Sequence, residues 1–337
     1  MRRTLVCYLA AVAACAGAVV GCRTAQRQQA DVGKFDASRP PAAIDLYVAG
    51  VRQYQGGNED QAVRTLLEAT QQNPNLAMAH ALLGDLYKAR GRYEDAGVHY
   101  EAIARLDPYT SINFYNLGVT YHLLDRLQEA AANYNKAIQL DPGDARSTMN
   151  LGIVYATLGD FDQAVTVAKR ATELDPKSPA AWANFGVALD AKGDHPAAES
   201  AYRRSLDLNP EHRPTMLNLG ANLVRQQKGV EAVDVLRTAL AKGDDAFARK
   251  TYGDALALTG KLDEAAAAYT AALKTNPRYA SAMNELGQVL IAQYRKGLEL
   301  DEEKRKAALD VWRKSLTIEP NQPKIQAAVK QWDRQGV

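Results

Sequence analysis

The sequence predicts an all-α solenoid of about eight helix-turn-helix repeats closed by a C-terminal helix, and three observations predict it. Gly50, Gly84, Gly118, Gly152, Gly186 and Gly220 recur every 34 residues, and Gly253 and Gly287 continue after a one-residue deletion. Ala62, Ala96, Ala130, Ala164, Ala198 and Ala232 keep the same period, as do Pro74, Pro108, Pro142, Pro176 and Pro210. The 337 residues are 47% hydrophobic but only 7% aromatic, an alanine-heavy mixture that favours helix over sandwich or barrel.

The chain opens on Met1-Arg2-Arg3 and the apolar run from Thr4 to Val20, the basic and hydrophobic parts of an export signal. Residues 1–21 are therefore read as a leader. The run ends in Val19-Val20-Gly21-Cys22, which resembles the lipobox of bacterial lipoproteins and implies acylation of Cys22 before cleavage. A second candidate, Val12-Ala13-Ala14-Cys15, would shorten the hydrophobic part and strand apolar residues behind it. Several acyl chains would hold the protein to a membrane, since each buried methylene contributes about 0.8 kcal/mol. Arg23 stands where Asp would mark inner-membrane retention in lipoproteins of enterobacterial type, so the resemblance implies the outer membrane, facing the periplasm. Residues 22–42 are polar, with Pro40-Pro41 and no helical stripe, and read as a tether of about 25 Å root-mean-square span.

Charge excludes one class of partner. The 41 basic residues come level with the 39 acidic ones once Arg2 and Arg3 leave with the leader, so no basic excess is available for nucleic acid. Cys7, Cys15 and Cys22 are the only cysteines, which leaves the body without disulfides or cysteine-ligated metal.

Residues 43–320 hold the repeats. Each unit reads as two helices turning at Gly91, Gly159, Gly193 or Gly260 and ending at proline, which costs about 3 kcal/mol inside a helix. The in-phase Gly and Ala are expected where the two helices of a unit cross closely. Phe114, Leu117, Tyr121 and Tyr134, or Trp182, Phe185, Leu189 and Tyr202 one unit later, fill the remaining space. The stretch Trp182-x2-Phe185-Gly186-x2-Leu189…Ala198-x3-Tyr202…Pro210 resembles the tetratricopeptide repeat pattern W-x2-L-G-x2-Y…A-x3-F…P. The resemblance covers about 280 residues and is specific for a fold, not an activity. It departs at Asp244, which replaces the sixth proline, and near 293–302, where the eighth unit gains nine residues as a longer first helix or a loop. Residues 321–337 are read as the capping helix of an open solenoid, with Ile325, Ala328, Val329 and Trp332 on one face.

The resemblance implies a right-handed superhelix whose concave wall is built from the first helices and binds peptide segments. Asn116, Asn150, Asn184 and Asn218 recur 34 apart and would form a ladder there. Asn both donates to and accepts from a backbone, in a way similar to the asparagine ladder of O-linked N-acetylglucosamine transferases. The other reading is that each Asn bonds between neighbouring units. Tyr115, Val119, Met149, Ile153, Val187, Leu217 and Val224 lie one helical step around. They either line a groove for an apolar or mixed peptide or pack between first helices. His122 is expected to face the groove, His80 and His195 to be buried or half-buried, and His99 and His212 to face solvent. Lys88 and Arg225 look isolated, so no clamp for acidic C-termini is evident. No H-E-x-x-H, G-x-S-x-G, phosphate-loop or calcium-loop pattern occurs. The expected function is therefore not enzymatic and needs no cofactor or metal. It is that of an anchored adaptor for protein or peptide partners in the cell envelope, similar in architecture to pilotin-type lipoproteins that support type IV pilus or secretin assembly. The alternatives are a periplasmic carrier for apolar segments and an adaptor for envelope hydrolases.

Overall fold

A computed structural model describes residues 42–297 and 301–333. The leader, Cys22 and all of the tether but Ala42 lie outside the described residues, as do residues 298–300 of the insertion. Among the described residues there are helices and no strands. They run as pairs: α1 (Ala43–Gln55) with α2 (Glu59–Gln72), α3 (Ala77–Ala89) with α4 (Tyr93–Leu106), α5 (Ser111–Leu123) with α6 (Leu127–Leu140), and α7 (Ala145–Leu158) with α8 (Phe161–Leu174). Four more pairs follow: α9 (Pro179–Lys192) with α10 (His195–Leu208), α11 (Arg213–Arg225) with α12 (Gly229–Lys242), α13 (Ala246–Leu258) with α14 (Leu262–Thr275), and α15 (Ala280–Lys296) with α16 (Glu302–Ile318). The last helix, α17 (Pro323–Asp333), packs on α16. The chain divides into two compact units at Leu174 and Asp175, so α1–α8 and α9–α17 are described separately.

Within each unit, both helices of a pair pack together and each second helix packs on the first helix that follows. The turn inside each of the first seven pairs has one left-handed residue. Gly57, Gly91, Gly159, Gly193 and Gly260 supply it at φ between 72° and 95°, where an L side chain costs roughly 1–2 kcal/mol. Asp125 and Gln227 occupy the same turn at φ 58° and 61°. Side-chain oxygens of Asp144, Ser178, Asp194 and Asp245 accept backbone N–H groups at the starts of α7, α9, α10 and α13, each worth about 1 kcal/mol.

All six in-phase alanines are completely buried. The in-phase glycines do something other than bring two backbones together. A Cβ on Gly118 would sit 2.6 Å from the Tyr134 ring, and one on Gly186 equally close to Tyr202. Gly84 and Gly253 make the same room for Tyr100 and Tyr269, Gly50 and Gly220 for Leu66 and Leu236, and Gly287 for Trp312. The expected backbone approach is found between α7 and α8, where a Cβ on Gly152 would meet the Ala168 Cβ and backbone nitrogen at 3.5 Å. The glycine thus vacates a slot that a large side chain from the second helix fills, and the pair closes in where that residue is alanine.

The two departures from the repeat are absorbed locally. At the missing proline, Arg213 donates to the Gly243 carbonyl at 3.0–3.2 Å, to the Ala239 carbonyl at 3.2 Å and to the Asp245 carboxylate at 2.5 Å, tying down the break between α12 and α13. The insertion lengthens the first helix, α15, to 17 residues. α17 then covers the end of the second unit: Trp332 is buried against Tyr294, ring centroids 6.1 Å apart, and the Arg305 guanidinium donates to the Trp332 carbonyl at 2.6 Å.

Candidate functional site

First helices of successive pairs meet directly where α5 meets α7 in the first unit, and where α9 meets α11, α11 meets α13 and α13 meets α15 in the second. No two second helices approach as closely. Each unit therefore bends with its first helices on the inner side, and the side of a first helix that second helices leave uncovered forms the inner wall.

Asn116 on α5 and Asn150 on α7 are half-buried on the first unit, and Asn184 on α9 and Asn218 on α11 are half-buried on the second. No side-chain hydrogen bond among the described residues engages the amides of Asn116, Asn184 or Asn218. Asn150 differs. It lies beside the buried Tyr134 phenol, which burial and then Tyr115 push well up, while Asn150 opposes that rise. The Tyr134 hydroxyl has no hydrogen bond of good geometry, and Asn150 of the following pair is a candidate partner for it. Tyr115 is half-buried, with the Arg146 guanidinium 4.9 Å over its ring and Tyr134 tilted against it at 6.2 Å. Met149 and His122 are half-buried too, and burial lowers the His122 pKa.

Leu217 is a correction: it is completely buried and lines no groove. α13 lies closer to α11 than first helices lie elsewhere, following the shortened connection after α12, and closes over that position. Ile153 is buried as well and packs between helices, whereas Val119, Val187 and Val224 stay half-exposed. His99 does not face solvent. His80 donates from Nε2 to the Pro74 carbonyl at 3.1 Å, so its Nδ1 accepts from His99 Nδ1 at 2.9 Å. Tyr87 stacks on the His99 ring at 5.6 Å, and burial, then His80, hold the His99 pKa down to about 4. His212 is half-buried, bonded to Thr215 Oγ1 at 2.7 Å, with its pKa lowered by burial.

Lys88 and Arg225 are not isolated. Lys88 pairs with Asp85 at 3.3 Å. Arg225 donates to Asp190 Oδ2 at 2.6 Å, while Asp190 Oδ1 accepts from His195 Nδ1 at 2.6 Å and from Asn222 at 2.9 Å. This network staples α9 to α11. Asp85 and Asp254, each following an in-phase glycine, accept the hydroxyls of Tyr100 at 2.5 Å and Tyr269 at 2.9 Å. That signal was present in the sequence, because aspartate follows glycine in just these two units. Also unforeseen is a set of exposed apolar residues on the first unit's inner wall: Ile44, Val48 and Tyr54 on α1, Met78 on α3, and Ile112 and Leu123 on α5. Among the described residues no group of three or more His, Cys, Asp or Glu is placed to hold a metal.

Paired helices, an in-phase glycine slot and an inner wall of first helices define an all-helical repeat scaffold. Residues 47–110, 149–213 and 184–248 match the tetratricopeptide repeat, residues 110–177 match a further tetratricopeptide repeat description, and residues 253–293 match the TPR repeat. The chain belongs to the tetratricopeptide repeat family, whose members hold protein and peptide partners. It is similar to a tetratricopeptide repeat protein from Parabacteroides merdae, with a TM-score of 0.58 and 15% identity over 74% of this chain and 98% of that one. Pseudomonas aeruginosa PilF superposes with a TM-score of 0.54 and 20% identity, covering 61% of this chain and 94% of its own. A chain of the APC/C hetero-tetramer Cut9-Hcn1 gives 0.60 and 16%, over 80% of this chain and 52% of that one. These likenesses establish the fold. No curated protein matches the chain.

Proposed function

We propose that the protein is a membrane-anchored adaptor that binds partner segments on the inner walls of its repeats and supports assembly of an envelope complex. The observation that carries this reading is the set of half-buried amides at Asn116, Asn184 and Asn218 with no side-chain hydrogen bond among the described residues. A half-buried amide that no side chain engages is open to a peptide backbone, which can supply both a donor and an acceptor to it. The leader pattern and Cys22 support an anchor in the envelope, and Arg23 after the cysteine supports the outer membrane, facing the periplasm. The architecture, an anchored repeat solenoid similar to pilotin-type lipoproteins, is the reason to name a pilus or secretin complex as the assembly served.

Affinity purification from native envelopes in mild detergent tests this, comparing wild type with the quadruple change of Asn116, Asn150, Asn184 and Asn218 to Ala. The proposal expects one stoichiometric complex with wild type and its loss from a variant that keeps its helical circular dichroism. Retention of the same partners would overturn the ladder. The exposed apolar residues of the first unit favour a second reading, a carrier for apolar segments. That reading expects many substoichiometric clients instead of one complex. Acyl labelling that persists in Cys22→Ser would remove the anchor.

A further inference from the structure

Each first helix after α1 buries one face beneath the second helix that precedes it, and direct contacts mark the positions. A Cβ on Gly97 of α4 would stand 3.7 Å from the Thr120 methyl of α5. Thr215 of α11 meets the Ser205 hydroxyl of α10 at 3.4 Å, and Asn222 of α11 donates to the His195 carbonyl of α10 at 3.1 Å. Thr215 and Asn222 are seven residues apart, and the same two registers hold Asn113 and Thr120 on α5 and Ala79 and Leu86 on α3, all buried. From α3 to α15 no first helix carries a charge at either register.

α1 departs from this rule. No second helix precedes it among the described residues. Its only two charged residues, Asp45 and Arg52, occupy the two registers and are exposed. Between them Ala49 is half-buried where Leu83, Leu117 and Leu151 are buried. Asp45 accepts the Ala42 N–H at 3.2 Å through one oxygen, and Arg52 pairs with no side chain among the described residues.

Seven residues are two helical turns, about 10.5 Å, so Asp45 and Arg52 share a face. That face is acidic at one end, basic at the other and small in the middle, which makes it its own complement. Two copies related by a two-fold axis beside Ala49 run their α1 helices antiparallel and set Asp45 of each against Arg52 of the other. Alanine at the crossing lets the helix axes approach to about 8 Å. A parallel pair would set like charge on like charge, and an apolar helix would cover both charges unpaired. The face lies about a quarter turn around α1 from Ile44 and Val48, so it can be broken without touching the inner wall.

We propose that the protein pairs with a second copy of itself through this face of α1, in a two-fold dimer held in register by two reciprocal Asp45–Arg52 ion pairs. A contact one helix wide belongs at the low end of interface sizes, so the dimer is reversible.

Sedimentation velocity of the full chain in mild detergent, over about 1–100 μM, tests this with charge exchange. The wild-type mass should rise from one chain to two across that range. Asp45→Arg places two bases on the face and Arg52→Asp two acids, so each variant alone should dimerise more weakly by roughly tenfold or more. An equimolar mixture of the two should regain wild-type affinity, because each then meets its complement. The chain carrying both exchanges should also dimerise like wild type, and circular dichroism checks that every variant keeps its helices. A wild-type chain that stays monomeric throughout overturns the proposal. So does a dimer that ignores both single exchanges, or folded single variants that fail to pair when mixed.

Discussion

The two units share one repeat but finish their inner walls differently. The first leaves Ile44, Val48, Tyr54, Met78, Ile112 and Leu123 exposed on its first helices, whereas on the second only Leu258 among the large apolar residues of the first helices is comparably open. In their place the second carries ion pairs: Asp190 with Arg225, and Lys250 with Asp254 at 2.7 Å. The repeat constrains only the faces that touch other helices, through the glycine slot, the buried alanine and the closing proline. The uncovered face is free to vary, and the two units have used that freedom for different chemistry. Polar stapling between first helices belongs to the second unit, and a buried imidazole pair belongs to the first.

The largest effect should come from breaking the second unit's staple. Asp190→Ala removes the acceptor shared by Arg225, Asn222 and His195, and should cost about 1–3 kcal/mol, read as increased hydrogen exchange in α9–α11 with the first unit unaffected. Next comes the glycine slot, compared between units. Gly186→Ala would push a Cβ into the buried Tyr202 ring, a cost of about 1–3 kcal/mol, while Gly152→Ala has ordinary contact distances and removes a mid-helix glycine, gaining about 0.5–1 kcal/mol. Opposite shifts of Tm in the two variants would sharpen the distinction, and equal shifts would erase it.

Acid should act in opposite directions on α3–α4 and on α13–α15. His99 is held at about 4, below its ordinary 6.5, chiefly by burial. Between those values the unfolded chain takes up the proton and the folded chain does not, so stability is whole above pH 6.5 and falls as pH drops toward 4. The loss should be about 1–2 kcal/mol at pH 5. At α13–α15, burial raises the pKa of Asp254 and of Glu285, so the folded state takes up protons first and acid relieves these helices. Hydrogen exchange at pH 7 and pH 5 should show α3–α4 loosening while α13–α15 does not, and His99→Phe should reduce the first change, leaving the part due to His80, whose pKa burial also lowers. The smallest effect is at the turns: Gln227→Gly relieves a left-handed side chain and should add about 0.5–1 kcal/mol by urea denaturation.

The pairs, their turns and the capping helix were legible because glycine, alanine and proline each repeat for a physical reason that every unit shares. Even Asp125 and Gln227 were readable, standing 34 residues after Gly91 and Gly193. What stayed hidden lies off the period. His80 and His99 are 19 residues apart and find each other only through pairing of α3 with α4, so His99 looked solvent-facing. Leu217 occupies the same register as Tyr115 and Met149, and only the closer approach of α13 to α11 buries it. Lys88 and Arg225 looked isolated because their partners belong to single units and not to the repeat. The Asn ladder was legible as a spacing, but the sequence could not separate Asn150, set beside Tyr134, from the three amides that stay unbonded.

The central claim is that partners dock on the inner walls. Site-specific photocrosslinking in cells tests it directly, with a photoreactive residue at Met78 or Asn218 on the inner walls and at Val98 or Val230, which are exposed on second helices α4 and α12. The account predicts that one partner is captured from Met78 and Asn218 and not from Val98 or Val230. Capture from Val98 or Val230 alone would contradict it and move the binding surface to the second helices.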